Sequence, residues 1–277
     1  MPLSMPGKPG EVHPMIVAGC DVGSLSAKAV ILRDGRVAAS HVMRARPHPR
    51  DSAREVMAAV TNKAGVSPDS FDYCVATGYG RNNVEYADAV ESEIACHAKG
   101  AWTVVPQARM VIDIGGQDAK AVRFDENGEV VRYVYNDKCA SGTGRFLEIM
   151  AEALDIRLED MGEIASRSKD PVTLSNQCVV FAETEIISLV NEGRDIHDIV
   201  CGLHRAMAHR VASLARSIEL ASEITMSGGV AKNCGMFAAL EEALKIRLMP
   251  MEIDPQIVGA LGAAVIALEK TGGKGGA

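Results

Sequence analysis

Apolar runs that end in glycine turns recur along the chain and predict two copies of one strand pattern. The runs MIVAGC and ARMVI lead into DVGSLSAKAV (21–30) and DIGGQDAKAV (113–122), which share an Asp, a Gly two residues on, and Ala-Lys-Ala-Val. Each copy continues into a hairpin signal, an Asp-Gly pair ending at Gly35 and an Asn-Gly pair ending at Gly128. Because such pairs between β-rich segments favour tight turns, each copy predicts strand, glycine turn, strand, hairpin and strand.

Helical patterns follow these strands in both copies. In the first, DSAREVMAAVTNKAG predicts a helix ahead of the strand and glycine turn DYCVATGYGR (72–81). In the second, a longer pattern with one apolar stripe predicts a helix ahead of EITMSGGVAKN (223–233). Further helices are predicted at 82–100, 234–244 and 257–270, and small residues in the last favour close packing on a sheet.

The matching order of elements predicts an α/β fold of two duplicated halves, each a mixed sheet with helices on its faces. We expect the first half to span 15–105 and the second to span 106–270. The Pro/Gly-rich residues 1–14 predict a flexible leader, and residues 271–277 predict a flexible tail.

Composition narrows the class of protein without identifying it. The 277 residues are 47% hydrophobic and 23% charged, which is ordinary for a globular protein. A net charge of -7, with no run of Lys or Arg, argues against a nucleic-acid or anionic-membrane partner. The longest apolar run, 257–268, is too short and too rich in glycine to span a bilayer, and the first residues lack the apolar core of a secretory signal. A cytoplasmic protein is the expectation.

Cysteine spacing excludes several familiar metal and redox motifs. The seven cysteines contain no CxxC pair, so no zinc-ribbon, thioredoxin or ferredoxin signature is present within the chain. In a cytoplasmic setting they should be free thiols or metal ligands, and we expect Cys20, Cys74 and Cys234 to serve packing. His197, Cys201 and His204 share a helix face, but a fourth zinc ligand is not evident, so a half-buried structural face is favoured.

The two Asp-x-Gly turns are candidates for phosphate loops. Nothing fits a Walker P-loop, and no GxGxxG follows a strand. Glycine at such a turn lets backbone N–H groups approach phosphate oxygens, and Asp21 and Asp113 at the strand ends could hold Mg²⁺ through waters. Ser24, Lys28, Gln117 and Lys120 could add donors to the bound phosphates.

This repeated pattern resembles the actin-like ATPase superfamily. The resemblance implies two actin-like (ribonuclease H-like) halves with ATP or ADP and Mg²⁺ bound in the cleft between them. The metal-side aspartates would then be Asp21 and Asp113. The phosphate loops would include Gly23, Gly115 and Gly116, and the adenosine turn would include Gly228, Gly229 and Lys232.

Seven motifs, in the same order along the chain, resemble one family within that superfamily. MIVAGCDVGSLSAKAV, ATGYGRNNV, VIDIGGQDAKAV, NDKCASGTGRFLE, CVVFAETEIISLV, MSGGVAKN and GALGAA look like the activators of 2-hydroxyacyl-CoA dehydratases. They look equally like the related ATPase subunits of benzoyl-CoA reductase. That resemblance implies a homodimer with one 4Fe-4S cluster between its subunits, held by Cys139 and Cys178 of each.

Coordination chemistry is consistent with that implied ligand set. A 4Fe-4S cluster wants four thiolates, and a twofold axis would double two cysteines to four. Both Cys139 and Cys178 precede helical patterns, whose N-termini stabilise anions. The turn Gly142, Thr143 and Gly144 follows the first cysteine, so nucleotide bound there could change the cluster's surroundings.

The water-activating residue stays open at this level. Gln117 and Glu183 are candidates, but Glu183 and Glu185 in the first turns of a helix are also ordinary partners of its dipole.

The resemblance implies an ATPase coupled to low-potential electron transfer under anaerobic conditions. Reduced ferredoxin or flavodoxin would be the electron donor, and a 2-hydroxyacyl-CoA dehydratase or aryl-CoA reductase component would be the acceptor. Two alternatives stay open. One is a small-molecule kinase of the same fold without a cluster, and the other is a non-redox ATPase that clamps or assembles another metalloenzyme.

Overall fold

The computed structural model describes residues 14–175 and 178–272. Nearly all of the predicted leader and most of the predicted tail, 273–277, lie outside the described residues. The described chain forms two mixed sheets with helices on their faces.

The first sheet has five strands in the order β3-β2-β1-β4-β5. Its strands are β1 (Ile16–Val22), β2 (Ser26–Arg33), β3 (Arg36–Arg44), β4 (Tyr73–Thr77) and β5 (Ala89–Val90). Strands β1 to β3 pair antiparallel, and β4 pairs parallel to β1. The predicted hairpin between β2 and β3 is confirmed, since Asp34 (φ 50°) and Gly35 (φ 75°) are both left-handed, as a type I′ turn requires.

The second sheet repeats the arrangement, in the order β8-β7-β6-β9. Its strands are β6 (Met110–Ile114), β7 (Ala119–Phe124), β8 (Val130–Asn136) and β9 (Ile224–Ser227). Antiparallel β6–β7–β8 and parallel β6–β9 match β1–β2–β3 and β1–β4. The same order and directions in both sheets confirm the predicted duplication.

Eight α-helices cover the sheets in the described part of the chain. They are α1 (Pro49–Ala64), α2 (Glu93–Val104), α3 (Gly144–Ala153), α4 (Met161–Ser166), α5 (Val179–Asn191), α6 (Ile196–Arg216), α7 (Cys234–Leu244) and α8 (Val258–Gly272). The predicted apolar stripe of α6 packs into the core of the second half, where Val200, Leu203, Met207 and Val211 are buried. Among the described helices, none has the length and apolar character needed to cross a membrane.

The predicted helix at 82–100 is wrong over its first half. Residues 82–92 form a short turn and strand β5, because the segment pairs with the edge of β4: the Asp88 carboxylate accepts from Cys74 N at 2.8 Å, and Asp88 N donates to Cys74 O at 2.8 Å. Helix α2 begins at Glu93, where the Ser92 side chain caps it by accepting from Ala95 N.

Helix α8 returns to the first half. It packs on β1, β2 and β4 and crosses α2, although its residues come last in the chain. The crossing needs small residues, since a Cβ on Gly262 would overlap the Cys96 carbonyl and one on Gly100 would overlap that of Val258. The predicted close packing of this helix is confirmed, and the helix runs on to Gly272, two residues into the segment predicted as a tail.

Candidate functional site

A cleft of about 420 Å³ lies between the two sheets, at the ends of β1, β6 and β9. Both Asp-x-Gly turns and the turn after β9 open onto it, so the duplicated turns converge on one site. The predicted site residues that line it are Asp21, Gly23, Ser24, Lys28, Asp113, Gly115, Gly116, Lys120, Gly144, Gly228, Gly229 and Lys232.

The two Asp-x-Gly turns meet across the cleft. A Cβ on Gly116 would overlap the Leu25 side chain, so the second turn packs on the tip of the first. Gly144 N donates to Gly115 O at 2.8 Å, which joins the start of α3 to the same turn. Glycine at these positions therefore lets the two turns and the start of α3 pack closely around the cleft.

A left-handed glycine stands behind each aspartate. Gly228 has φ 88°, and a Cβ there would overlap the Ile114 carbonyl and lie 2.9 Å from Asp113 Oδ1. Gly78 has φ 90° and stands in the same relation to Asp21. Both turns therefore require glycine, and the duplication extends to the support of each carboxylate.

Lysines hold both aspartates. Lys28 Nζ lies 3.2 Å from Asp21 Oδ2, and Lys120 Nζ lies 3.4 Å from Asp113 Oδ2. Burial alone would raise the pKa of Asp113, but neighbouring positive charge from His97 and Lys120 and a hydrogen bond from Ser227 lower it to about 2. Asp113 is therefore a carboxylate at neutral pH despite being buried.

The carboxylates outnumber the lysines in this part of the cleft. Lys120 also pairs with Asp118 and, at 3.1 Å, with Glu93 Oε2. Its pKa is raised, because these acidic neighbours outweigh the effect of burial. Four carboxylates, those of Asp21, Glu93, Asp113 and Asp118, face two lysines and His97, and a divalent cation would offset the excess of negative charge.

Several of these residues escaped the sequence prediction. Glu93, His97 and Asp118 line the cleft. The available signal was that Glu93 and His97 stand four residues apart and share one face of a helix. The predicted helix spanned both, but nothing in the pattern showed that this face meets the second half.

Apolar side chains also line the cleft. Leu147, Leu158 and Val230 are among the lining residues, and Val230 directly follows the Gly228–Gly229 turn. Lys232 Nζ is held by Asp254 Oδ2 at 2.8 Å and by Gln256 Oε1 at 2.7 Å, so it braces the turn. Apolar walls beside a glycine turn suit the flat face of a nucleobase.

Besides the two cysteines, four predicted site residues do not line the cleft. Gln117 is exposed at the tip of its turn, and Glu183 is half-buried on α5. Gly142 and Thr143 are buried behind the start of α3, where the Thr143 Oγ1 donates to Ala140 O at 2.8 Å. Of that turn, Gly144 reaches the cleft.

Cys139 is half-buried in a loop tied down by its neighbours. Its N–H donates to Asn136 Oδ1 at 3.2 Å, and Asn136 Nδ2 donates to its carbonyl at 2.7 Å. Its Sγ lies 3.2 Å from Ser141 Oγ. A hydrogen bond from Ser141 and the nearby Arg210 lower the pKa of the thiol against the effect of burial, which favours the thiolate that binds metals.

Cys178 is exposed at the N-cap of α5. Cys20 and Cys74 are buried, as predicted for packing residues. Cys234 is exposed at the first residue of α7, and its sulfur lies against α4, where a Cβ on Gly162 would be 2.8 Å from it.

The predicted histidine face of α6 is structural. His204 is buried with Nδ1 2.7 Å from Val200 O, and His197 Nδ1 bonds Asp195. Across residues 14–175 and 178–272, no three His, Cys, Asp or Glu side chains are grouped to hold a metal by themselves.

Comparisons with known proteins agree with this geometry. The profile of the BadF/BadG/BcrA/BcrD ATPase family matches residues 18–267. The chain is 44% identical to an activator of lactoyl-CoA dehydratase from Anaerotignum propionicum, over 92% of this chain and 98% of that one. It is 41% identical to the (R)-2-hydroxyglutaryl-CoA dehydratase activating ATPase of Acidaminococcus fermentans, over 91% and 96%. Identity to one of the benzoyl-CoA reductase polypeptides of Thauera aromatica is 32%, over 90% and 92%.

A solved structure shares the whole fold. The activator of 2-hydroxyisocaproyl-CoA dehydratase from Clostridium difficile, solved with bound ADPNP, superposes with a TM-score of 0.90. The match covers 94% of this chain and 97% of that one at 38% identity.

Proposed function

The chain belongs to the BadF/BadG/BcrA/BcrD ATPase family, and we propose that it is an ATP-dependent one-electron donor to a CoA-thioester-processing enzyme in the cytoplasm. Two copies would share one 4Fe-4S cluster. The observation that carries the proposal is the combination of a cleft built from two Asp-x-Gly turns with two accessible cysteines at the starts of helical segments.

The cleft fits a nucleotide with Mg²⁺. Gly23 and Gly115 bring main chain to the wall of the cleft, and Leu147, Leu158 and Val230 add apolar side chains to its lining. Asp21 and Asp113 would hold the cation, directly or through waters, and the excess of carboxylates supports that assignment. These residues bind and orient the nucleotide.

The thiols fit a shared cluster. Cys139 and Cys178 are accessible, and each precedes a helical turn whose N–H groups favour negative charge. A bound 4Fe-4S cluster would supply one-electron redox chemistry. Because one chain contributes two such cysteines, a homodimer completes the four ligands.

The loop between the two sites suggests how they communicate. Residues 139–144 run from the Cys139 thiol to Gly144, whose N–H is bonded to the second phosphate turn. A change in that turn is therefore transmitted to the thiol through a few residues of bonded backbone. The nucleotide can drive such a change only if it binds two conformational states of the dimer with different affinity.

The acceptor is proposed to be a 2-hydroxyacyl-CoA dehydratase component. The relatives with 44% and 41% identity activate enzymes of that class, whereas identity to the reductase polypeptide is 32%. Reduced ferredoxin or flavodoxin is the proposed donor.

Iron analysis of anaerobically purified protein tests the proposal. We expect about two irons and two sulfides per chain, a broad absorbance band at roughly 400 nm, and a dimer by mass. The variants Cys139→Ser and Cys178→Ser should each lose most of the iron. Cys234→Ser is the matched control, since that thiol is also exposed at the start of a helix, and it should keep the wild-type iron content.

Iron-free wild-type protein that stays colourless after reconstitution would contradict the redox proposal. A small-molecule kinase of the same fold would then come first. Unchanged iron in Cys139→Ser would show that the cluster has other ligands.

A further inference from the structure

His97 lies buried where the two halves meet at the floor of the cleft. It is carried by α2, the helix that follows the first sheet and leads into β6. Its Nδ1 is 3.4 Å from Asp113 Oδ1 and 3.4 Å from Ser227 Oγ. Ser227 Oγ in turn donates to the same Asp113 oxygen at 2.8 Å. His97 on α2 and Ser227 at the end of β9 therefore both contact the same oxygen of the Asp113 carboxylate.

The other edge of the imidazole faces the first half. Gly259, in the first turn of α8, lies between His97 and Asp21. A Cβ built on it would be 3.0 Å from His97 Nε2 and 3.1 Å from Asp21 Oδ2. Both groups therefore flank the same point, and glycine leaves the space between them open. The ring is placed between the two aspartates, one from each half.

Each lysine pairs directly with one of these two aspartates. Lys28 pairs with Asp21, and Lys120 pairs with Asp113 and with Glu93. His97 comes from the first half and contacts the aspartate of the second. Its ring lies against Asp113 on one edge and toward Asp21 on the other.

We propose that His97 is a positioning residue of the nucleotide site. Its Nδ1 edge, with Ser227, fixes the Asp113 carboxylate, and its Nε2 edge borders Asp21, so that both carboxylates meet a divalent cation at a set separation. This inference rests on the proposed nucleotide site. His97 acts through the aspartates, and its loss should remove the contribution of Mg²⁺ to nucleotide binding more than the binding of the nucleotide itself.

Calorimetric titration of ADP into the full-length protein, with Mg²⁺ and with EDTA, tests the role. Three variants test the contributions of the two ring nitrogens separately. His97→Asn places an amide nitrogen near the position of Nδ1, His97→Gln places one near that of Nε2, and His97→Ala removes both. Wild-type protein should bind ADP more tightly with Mg²⁺. In His97→Ala that Mg²⁺-dependent gain should fall by about tenfold, because Asp113 and Ser227 both lose their contact with the ring.

Rescue by one conservative variant is the deciding result. His97→Asn should keep most of the Mg²⁺-dependent gain, His97→Gln should not, and affinity in EDTA should change by less than roughly twofold in both. Equal loss of affinity with and without Mg²⁺ in all three variants would overturn the proposal, because it would show a merely structural role. Wild-type protein that fails to bind ADP at all would instead overturn the nucleotide site, and the inference with it.

Discussion

At the scale of single residues, the surroundings of each thiol set its chemistry. Burial raises the pKa of Cys20 to about 12 and that of Cys96 to about 12, so both stay protonated and unreactive. Cys139 differs because Ser141 donates toward its sulfur and Arg210 lies nearby, which lowers its pKa. The same residue type thus fills buried space in β1 and α2 and has a lowered pKa beside α3.

The lowered pKa of Cys139 predicts its reactivity in iron-free protein. The fraction of thiolate rises as pH passes upward through the pKa, so alkylation by iodoacetamide should reach half its maximal rate below the ordinary thiol value of about 8.5. Ser141→Ala removes the stabilising hydrogen bond and should move that midpoint upward. Peptide mass spectrometry against pH measures it, with Cys234 as the internal reference. A midpoint that Ser141→Ala leaves in place would refute the assigned cause.

At the scale of elements, α2 and α8 pack with their backbones in direct contact. Gly100 and Gly262 face each other's helix so closely that a methyl group at either would overlap a carbonyl. The contact holds α8 against β1, where Gly19 likewise has no room for a side chain beside Ala260. This packing sets the position of α2 and hence of His97.

Gly262→Ala should therefore destabilise the protein by about 1–3 kcal/mol or more, since overpacking must push the helices apart. The free energy of unfolding from urea denaturation measures the effect. Gly272→Ala is the control, because nothing lies within 4 Å of a Cβ there, and it should change stability by less than about 0.5 kcal/mol. Equal stability of the two variants would show that the helices separate at no cost.

Elements with strong local signals could be predicted from the sequence. The Asp-Gly and Asn-Gly hairpins and the stripe of α6 carry their own turn chemistry or periodicity, and the structure confirms them. The helix predicted at residues 82–92 was wrong, because the conformation of this segment depends on its pairing with β4, a contact distant in sequence. His97 was missed for the same reason, since its partners Asp113 and Ser227 come from the other half.

At the scale of the whole molecule, the carboxylates of the cleft and the exposed apolar side chains of α5 belong to different surfaces. The cleft gathers carboxylates, while α5 exposes an apolar face that begins beside Cys178. Val180 (66% exposed), Phe181 (61%), Ile187 (46%) and Val190 (47%) lie on that helix. A surface of this kind, next to a proposed cluster ligand, would suit the second copy of the proposed homodimer, in which the two Cys178 residues would come together.

Phe181→Asp should weaken the proposed homodimer, since it places a charge where a large apolar side chain would be buried against the partner. Full burial of such a side chain is worth about 1.5–3 kcal/mol, so the dissociation constant should rise by roughly tenfold or more. Sedimentation equilibrium across a concentration series measures that constant.

Val37→Asp is the matched control: Val37 is 50% exposed on β3 of the first sheet, away from both cysteines in the fold, and the dimer should tolerate its change. If Phe181→Asp also lowers iron per chain while Val37→Asp does not, the apolar face and the cluster ligands belong to one interface. If the dimer and its iron survive Phe181→Asp unchanged, the α5 face serves another purpose and the shared cluster must lie at a different surface.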